Sequence, residues 1–450
     1  MNSDIKNNLA KGSVAKKLAF FTLPFLLSNL VQALYNVADM LIVGNFSGAA
    51  AMSGVNNGGQ ITFVLTHIIV GLCMGATVLI GQYVGANNDD GLKKTLMTTL
   101  TLLFAAAVVI TIVTLIFKND FLRLIQTPEE SFAESESYLT VTSIGLIFIF
   151  GYNAFGAILR GMGDSKRPLY FALAACVTNI ILDLIFVAAF GWGTFGAAVA
   201  TVISQALSMF LCIYYMKVST FPFDFRLSSF KIYKNTLKMI LKIGMPTCVQ
   251  NGIVSISFLF IAGIVNTVGG TAGAAAAGAV LRFNSFAFMP TLAIGLSVGT
   301  MCAQNIGANR LDRAVKSCKI GILFSFIISG AIFVMSQLFP AQIVSVFGDD
   351  PEVIAYGVEY LRSLSYDYLV IPFVFCVNGL LIGGGHTVFT LVNSILSSIL
   401  FRIPLCWFLG ITLDWGLFGI GLGIPLAGAG VTLMIIGYLL TGRWKRNLVK

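Results

Sequence analysis

The sequence has few charged residues. Only 10% of its 450 residues are Asp, Glu, Lys or Arg, and 57% are hydrophobic, whereas a typical soluble domain carries about 25% charged residues. Apolar runs of about 20 residues, the length that spans a bilayer, recur along the whole chain. The shortage of charge therefore excludes a large soluble domain and predicts an all-α membrane protein whose main partner is the lipid bilayer.

The sequence also lacks the motifs that several other functions need. Its two histidines, His67 and His386, lie in different halves and offer no metal or nucleophile–base constellation. None of the eight cysteines forms a C-x-x-C pair, so we expect buried thiols rather than disulfides or metal ligands. The nucleotide-binding pattern G-x-x-x-x-G-K-[ST] is absent. These absences predict a protein that is not an enzyme and that holds no cofactor.

Twelve apolar segments are long enough to be membrane-spanning helices. The second and the eighth are the longest, which predicts that these two are tilted or bent. The segments lie at roughly 18–43, 52–82, 95–117, 138–159, 169–190, 195–216, 240–266, 274–304, 319–340, 364–382, 388–410 and 417–441.

Basic residues are distributed unevenly over the loops between these segments. If the N-terminus is cytoplasmic, the outer loops contain only Lys118, Arg123 and Arg362 of the 28 lysines and arginines, and nearly all the others face the cytoplasm. An excess of Lys and Arg marks the cytoplasmic side of a membrane protein. The distribution predicts a cell-membrane protein with both termini in the cytoplasm, and it accounts for the net charge of +9 without a nucleic-acid partner.

The second half of the sequence repeats the first at an offset of 222 or 223 residues. The Gly-x-Gly motif at 161–163 recurs at 383–385, and the Trp-Gly pair at 192–193 recurs at 415–416. Each half contains six spans, and an even number gives both halves the same orientation in the membrane. The repeat therefore predicts two six-helix lobes related by a parallel pseudo-two-fold axis along the membrane normal.

We expect an N-terminal lobe at 1–216, a cytoplasmic linker at 217–242 and a C-terminal lobe at 243–450, in a protein that is monomeric. The pattern of the linker is typical either of a short helix in the cytoplasmic interface or of a solvated basic segment. Four of its lysines share one helical face: Lys231, Lys234, Lys238 and Lys242.

Two acids lie inside predicted spans of the first half, where a carboxylate costs about 2.5–3.5 kcal/mol on insertion scales. Asp39 lies on the first span, and Asp183 lies four residues after Asn179 on the fifth. The first and sixth spans carry polar residues at helical spacing, and we expect some of them to line a substrate cavity: Gln32, Tyr35, Asn36 and Gln205.

These polar residues have two interpretations. Together they would surround a hydrated pocket, where carboxylate, amide and hydroxyl oxygens bind Na⁺ or where the carboxylates carry protons. Alternatively, they serve only as contacts between helices, as amides and hydroxyls often do in membrane bundles. The burial of two acids favours the pocket for Asp39 and Asp183.

The second half has no acids at the corresponding positions. At these offsets Asp39 corresponds to Ile261, and Asp183 corresponds to Leu405 or Cys406. An ion site would therefore be one-sided. The second half instead has Arg282 and Arg402 in its spans, which pair either with backbone carbonyls or with Asp367 near the outer end of the tenth span, in a structural or a functional role.

With these features, the sequence resembles the bacterial multidrug and toxic compound extrusion family. The resemblance covers nearly the whole chain and rests on the twelve spans, the Pro-x₄-Asn openings at 24–29 and 246–251, and the Gly-Ala-Asn motifs at 85–87 and 307–309. It implies antiport, in which H⁺ or Na⁺ enters while a small organic, often cationic, compound leaves.

The resemblance also implies a cation site in the first lobe. Its members have that site at the positions of Asp39, Asn179, Asp183 and Thr201. Some members carry a further acid about eight residues after the proline of the seventh span, where this sequence has Val254.

Three other functions fit the pattern less well. A flippase for lipid-linked sugars would need a strongly basic cavity, and an intramembrane enzyme would need a catalytic constellation. A channel does not require the two-lobe repeat.

Overall fold

The computed structural model describes residues 8–219, 221, 223, 226 and 229–445, and its regular structure in these ranges is helical. The α-helices are α1 (Val14–Gly85), α2 (Asp89–Leu124), α3 (Glu129–Ile144), α4 (Leu146–Gly161), α5 (Lys166–Asp183), α6 (Gly193–Val218), α7 (Lys234–Gly307), α8 (Leu311–Leu338), α9 (Pro340–Ser345), α10 (Pro351–Leu364), α11 (Asp367–Gly383), α12 (Thr387–Ile395), α13 (Ile403–Trp407) and α14 (Gly416–Leu440). Three π-helical segments follow α5, α12 and α13: Leu184–Ala189, Leu396–Arg402 and Phe408–Thr412.

These helices provide the twelve predicted spans. Eight helices in the described residues are long and apolar enough to cross a membrane, and two bent pairs, α3 with α4 and α10 with α11, each form one more. Of the eight, α1 and α7 have 72 and 74 residues, more than twice the length of about 20 residues that one span needs. The fourth and tenth predicted spans differ from simple helices, because the pairs that form them bend by 53° and 46°.

A single glycine separates the two spans in each of the long helices. Gly48 in α1 has φ 84° and ψ −179°, and Gly270 in α7 has φ 56° and ψ −147°. Residues with a Cβ rarely adopt these conformations, whereas glycine does so readily. The sequence predicts a loop between residues 43 and 52, but one residue makes this break.

The sequence repeat is also a repeat of backbone conformation. Asn87 and Asn309, which end the Gly-Ala-Asn motifs, have φ 52° and φ 56°, and Gly193 and Gly416 have φ 54° and φ 61°. Asparagine tolerates the left-handed region better than most residues, and it often ends a helix there. The recurring motifs therefore mark the same helix ends in both halves.

The second half contains one additional residue between two of these markers. Gly163 and Gly385, both at positive φ, are separated by 222 residues, whereas Gly193 and Gly416 are separated by 223. Somewhere between residues 385 and 416, the chain must accommodate one residue more than the first half does.

A π-helical segment accommodates this residue, because a π turn closes an i→i+5 hydrogen bond and holds one residue more than an α turn. Phe408–Thr412 corresponds to Leu184–Ala189 at an offset of 223, whereas Leu396–Arg402 has no counterpart among the described residues of the first half. The insertion therefore lies at Leu396–Arg402. Beyond it the offset is 223, so Asp183 corresponds to Cys406.

The chain divides into two compact units, Leu23–Gly244 and a second unit that combines Leu9–Thr22 with residues from Met245 onward. The predicted N-terminal lobe included residues 9–22, but these residues pack in the second unit. Their apolar side chains lie in a buried cluster with residues of α7, α8, α11 and α14, and the Leu9 N–H donates to Gln304 Oε1 at 2.9 Å.

The predicted linker at 217–242 also differs from the structure. Because α7 begins at Lys234 and continues into the seventh span, Lys238 and Lys242 belong to that helix rather than to a separate short helix. Gly244 packs tightly on α1, since a Cβ there would lie 3.0 Å from Cα of Leu72. Residues 220, 222, 224, 225, 227 and 228 of the linker, and both chain ends, lie outside the described residues.

Candidate functional site

Asp39 of α1 and Asp183 of α5 lie together in the interior of the first unit. Their exposed fractions are 4% and 0%, and their carboxyl groups are close enough to interact directly. Asp183 is the last residue of α5, at the point where the helix passes into the π-helical segment Leu184–Ala189. Such segments occur frequently at functional sites.

Thr201 and Tyr35 connect α6 and α1 at the same place. The Tyr35 hydroxyl donates to Oγ1 of Thr201 at 3.1 Å, and the Tyr35 phenol interacts with both Asp39 and Asp183. The structure therefore brings α1, α5 and α6 together at these residues. The polar stripes predicted on three separate spans form one cluster in this region.

Asn179 lies one helical turn before Asp183 and is fully buried. Among the described residues, five buried atoms of this group have no hydrogen-bond partner: Oδ1 and Nδ2 of Asn179, Oδ1 and Oδ2 of Asp183, and Oδ1 of Asp39. Folded proteins leave few buried polar atoms unpaired, because each such atom costs about 1–3 kcal/mol. Four of these five atoms are oxygens, so the cluster can accept hydrogen bonds or coordinate a cation.

No basic side chain neutralises this cluster in the part of the chain that the structure describes. The ion pairs there involve Asp90, Asp164 and Glu136, not Asp39 or Asp183. Two neighbouring carboxylates in a medium of low dielectric constant cannot both stay charged without a cation. A proton or a hard cation such as Na⁺, which prefers oxygen ligands, would satisfy both the charge and the unpaired oxygens.

Tyr138 of α3 also faces the cluster, which the sequence analysis did not predict. Its phenol interacts with Asp39, Thr201 and Asp183. Gly58 of α1 makes room for it, because a Cβ at that position would lie 2.9 Å from Cδ1 of Tyr138. The repetition of the Tyr-Leu pair at 138–139 and 360–361 was the available signal, since it marks a position that both halves retain.

Three of the four predicted cavity residues lie together. Gln32, Tyr35 and Gln205 line a cavity of about 10 Å³, which has room for about one water molecule. Asn36 is not among its lining residues, and its side chain is exposed. The remaining lining residues are neutral: Val31, Tyr152, Ala172, Ala175 and Cys176.

The two arginines in the spans of the second half have different environments. Arg282 is exposed, whereas Arg402 interacts electrostatically with Asp367. Asp367 is buried, with 7% of its surface exposed, and it is the first residue of α11, at the bend between α10 and α11. The two side chains are near enough to interact electrostatically but form no ion pair, so direct pairing of Arg402 with Asp367 stays a prediction.

Known proteins are similar to this chain in sequence and in fold. The MatE family profile matches residues 24–185 and again 246–408, one match in each half. The chain is 31% identical over 436 residues to the probable multidrug resistance protein YoeA of Bacillus subtilis (strain 168), covering 95% of this chain and 94% of that one. It is 29% identical over 441 residues to the probable multidrug resistance protein YpnP of the same organism, covering 97% of each.

The fold resembles that of a solved structure described as the outward-facing conformation of a multidrug resistance MATE family transporter of the MOP superfamily. The TM-score is 0.91 at 23% identity, and the match covers 99% of both chains. The two profile matches begin 222 residues apart and end 223 apart, in agreement with the inserted residue in the second half. The chain therefore belongs to the MatE family and is a multi-pass membrane transporter, not an enzyme.

Proposed function

We propose that this protein is a secondary antiporter of the cell membrane, which exports small organic, often cationic and drug-like, compounds while H⁺ or Na⁺ moves inward. The names of YoeA and YpnP support this choice of substrate class. Only two arginines, Arg282 and Arg402, lie in the predicted spans, which argues against a pyrophosphate-linked sugar as the substrate. The transporter acts as a monomer, without a nucleic-acid partner.

One observation carries the proposal: within the described part of the chain, the acid cluster has five buried atoms without hydrogen-bond partners and no basic residue to neutralise it. We assign Asp39 and Asp183 as the coupling carboxylates, with Asn179 and Thr201 completing the cation site. An empty site with two charged carboxylates is unfavourable, whereas a bound proton or Na⁺ relieves both the repulsion and the missing contacts.

Ion binding then couples to the conformation of the first unit. Neutralising Asp39 and Asp183 changes the repulsion between α1 and α5, which carry them. The π-helical segment Leu184–Ala189 directly follows Asp183, so a shift of this residue acts on a segment that is already irregular. Coupling follows if the ion binds the inward and outward states with different affinity.

The energy available from the ion is sufficient for export. One charge that crosses a potential of about 100 mV releases about 2.3 kcal/mol. At about 1.4 kcal/mol per decade, this supports a roughly fortyfold substrate gradient before any ion gradient contributes. An ATP site is therefore not required for concentrative export.

Transport of ethidium into inverted membrane vesicles tests the proposal, with Na⁺ and pH gradients imposed separately. We expect Asp39→Asn and Asp183→Asn each to abolish ion-driven uptake while the purified protein stays monodisperse. Asp120→Asn, an exposed carboxylate at the end of α2, is the matched control and should keep wild-type uptake. Near wild-type, ion-dependent uptake in both cluster variants would contradict the mechanism.

Substrate binding requires a wider cavity than the one present. Drug-sized ligands occupy about 300–1,000 Å³, whereas Gln32, Tyr35 and Gln205 enclose about 10 Å³. We propose that the cavity opens during transport and that the exposed Asn36 joins its lining. In that case Gln205→Ala should raise the KM for ethidium and leave ion dependence unchanged; an unchanged KM would remove Gln205 from the substrate path.

The orientation of the chain is testable by cysteine labelling with an impermeant maleimide. Glu130 and Lys93 are both exposed, and the basic distribution places them outside and inside, respectively. Ser131, next to Glu130, is 2% exposed and unsuitable as a probe. In intact cells, Glu130→Cys should label above the parent background and Lys93→Cys should label only after permeabilisation. The reverse pattern would invert the proposed topology.

A further inference from the structure

The second unit has a position equivalent to the acid cluster of the first. By the repeat, Ile261 corresponds to Asp39, Tyr360 to Tyr138 and Cys406 to Asp183. Although they come from three different helices, these three residues lie in one buried cluster. The second unit therefore has an equivalent of the site, with an apolar residue and a thiol in place of the two acids.

Arg402 projects a fixed positive charge at this position. It lies four residues before Cys406, as Asn179 lies four residues before Asp183, and its guanidinium interacts with Tyr360 and Cys406. Its carbon Cζ lies 5.1 Å from the ring centroid of Phe258, a cation–π distance. Nε and Nη1 of Arg402 are buried and have no hydrogen-bond partner among the described residues, so the charge is held in the protein interior without direct pairing there.

Asp367 supplies the countercharge. It interacts electrostatically with Arg402, although the two side chains form no ion pair within 4.0 Å. Gly428 of α14 gives the carboxyl group its space, because a Cβ there would lie 3.2 Å from Oδ1 of Asp367. The residue that corresponds to Gly428 in the first half is Gln205. At an offset of 222 the residue that corresponds to Asp367 is Gly145, so the first unit has no acid at this position.

We propose that Arg402 is a tethered cation, which permanently occupies the second-unit equivalent of the ion site with Asp367 as its counterion. Arginine is effectively always charged in proteins, so this cation does not exchange during transport. The exchangeable H⁺ or Na⁺ therefore binds in the first unit alone. This inference rests on the proposed function of Asp39 and Asp183.

Thermal unfolding of the purified protein tests the inference without transport. The Tm is measured against NaCl, with choline chloride keeping the ionic strength constant, and against pH from 5 to 8. Asp39→Asn/Asp183→Asn should lose the ion dependence of Tm that the wild type shows. Adding Arg402→Met to this double variant should create a new ion dependence of Tm, because Asp367 then lacks its countercharge and recruits Na⁺ or a proton. Adding Asp367→Asn to the resulting triple variant should remove this new ion dependence.

Arg402→Lys is the matched control in the same double-variant background. Lysine keeps a tethered positive charge, so the Tm of this variant should stay independent of the ion. The control therefore shows whether the effect of Arg402→Met comes from the lost charge or from altered packing. The groups that face Arg402 and titrate are Asp367, Tyr360 and Cys406, and the variant with Asp367→Asn isolates the contribution of Asp367.

Two results would overturn the inference. One is an ion-dependent Tm in Asp39→Asn/Asp183→Asn that Asp367→Asn removes, because the second unit would then bind an exchangeable ion beside Arg402. The other is the absence of any new ion dependence on adding Arg402→Met. Failure of the proposed function is a separate result, namely ion-driven ethidium uptake by Asp39→Asn/Asp183→Asn in vesicles.

If the Arg402→Met variant does not fold, Arg402→Met/Asp367→Asn on the wild-type first unit replaces it. This variant removes both charges and leaves no unpaired acid. It should retain the ion dependence of Tm of the wild type, and loss of that dependence would contradict a second unit without an exchangeable ion.

Discussion

The two units share a backbone plan and differ in charge. Gly48 and Gly270 break the long helices at equivalent positions, and Tyr138 and Tyr360 occupy equivalent buried positions. Among the described residues, the first unit buries Asp39 and Asp183 without a basic partner, whereas the second buries Asp367 near Arg402. Helix breaks and packing therefore repeat in the two units, whereas the chemistry at the two equivalent positions differs. A repeat in sequence does not imply two ion sites.

Substitution of Tyr138 and of Tyr360 tests whether the two units differ in their response to the coupling ion. Tyr138→Phe removes a hydroxyl that faces both acids without a hydrogen bond to their unpaired oxygens, and the loss of one such polar interaction costs about 1 kcal/mol. We therefore expect roughly fivefold weaker activation of ethidium uptake by the coupling ion. Tyr360→Phe, whose hydroxyl faces no pair of acids, should leave the ion concentration for half-maximal uptake unchanged.

Equal effects of these two substitutions would contradict the proposed difference between the units. The measurement is the ion dependence of initial uptake rates in vesicles with matched amounts of protein. Because Tyr→Phe keeps the ring and its packing, a change confined to ion dependence reports on the hydroxyl rather than on folding.

The two helix breaks provide a comparison in which both units should behave alike. Gly48→Ala and Gly270→Ala each place a Cβ on a residue at positive φ, which costs about 1–3 kcal/mol of folding free energy. Apart from the neighbouring residues and the backbone of the same helix, no atom of the described residues lies within 4 Å of either Cβ position, so the cost comes from the backbone conformation. Both variants should lower Tm by similar amounts, and Gly263→Ala, an ordinary glycine of α7 with equal space, should not.

Much of this arrangement follows from the sequence. The apolar runs predict the twelve spans, because each must cover the bilayer with its own backbone hydrogen bonds satisfied. The cost of burying polar groups and the family resemblance predict a cation site at four residues: Asp39, Asp183, Asn179 and Thr201. Their role in ion binding stays a prediction. The structure adds the contact between Asp39 and Asp183, which helical spacing alone cannot give, since the two residues lie on different helices.

Other features required the structure for physical reasons. Hydrophobic periodicity does not distinguish a π turn from an α turn, so it left Asp183 aligned with either Leu405 or Cys406. It does not show that residues 9–22 pack with the second unit, because that depends on contacts far apart in the chain. Tyr138 is compatible with an ordinary packed position, and only its neighbours Asp39 and Thr201 suggest a role.

Substitution of Cys406, which should have the smallest effect, tests whether the position equivalent to Asp183 responds to the coupling ion. Cys406 lies at the Asp183 position, where its thiol donates to the Ile420 carbonyl at 3.3 Å. Cys406→Ser keeps a donor of similar size, so Tm should change little and ion-dependent ethidium uptake should match the wild type. Asp183→Ser introduces serine at the equivalent position of the first unit and should abolish ion-dependent ethidium uptake. A change in ion dependence in Cys406→Ser would mean that the second unit senses the coupling ion at the position where Arg402 is proposed to exclude it.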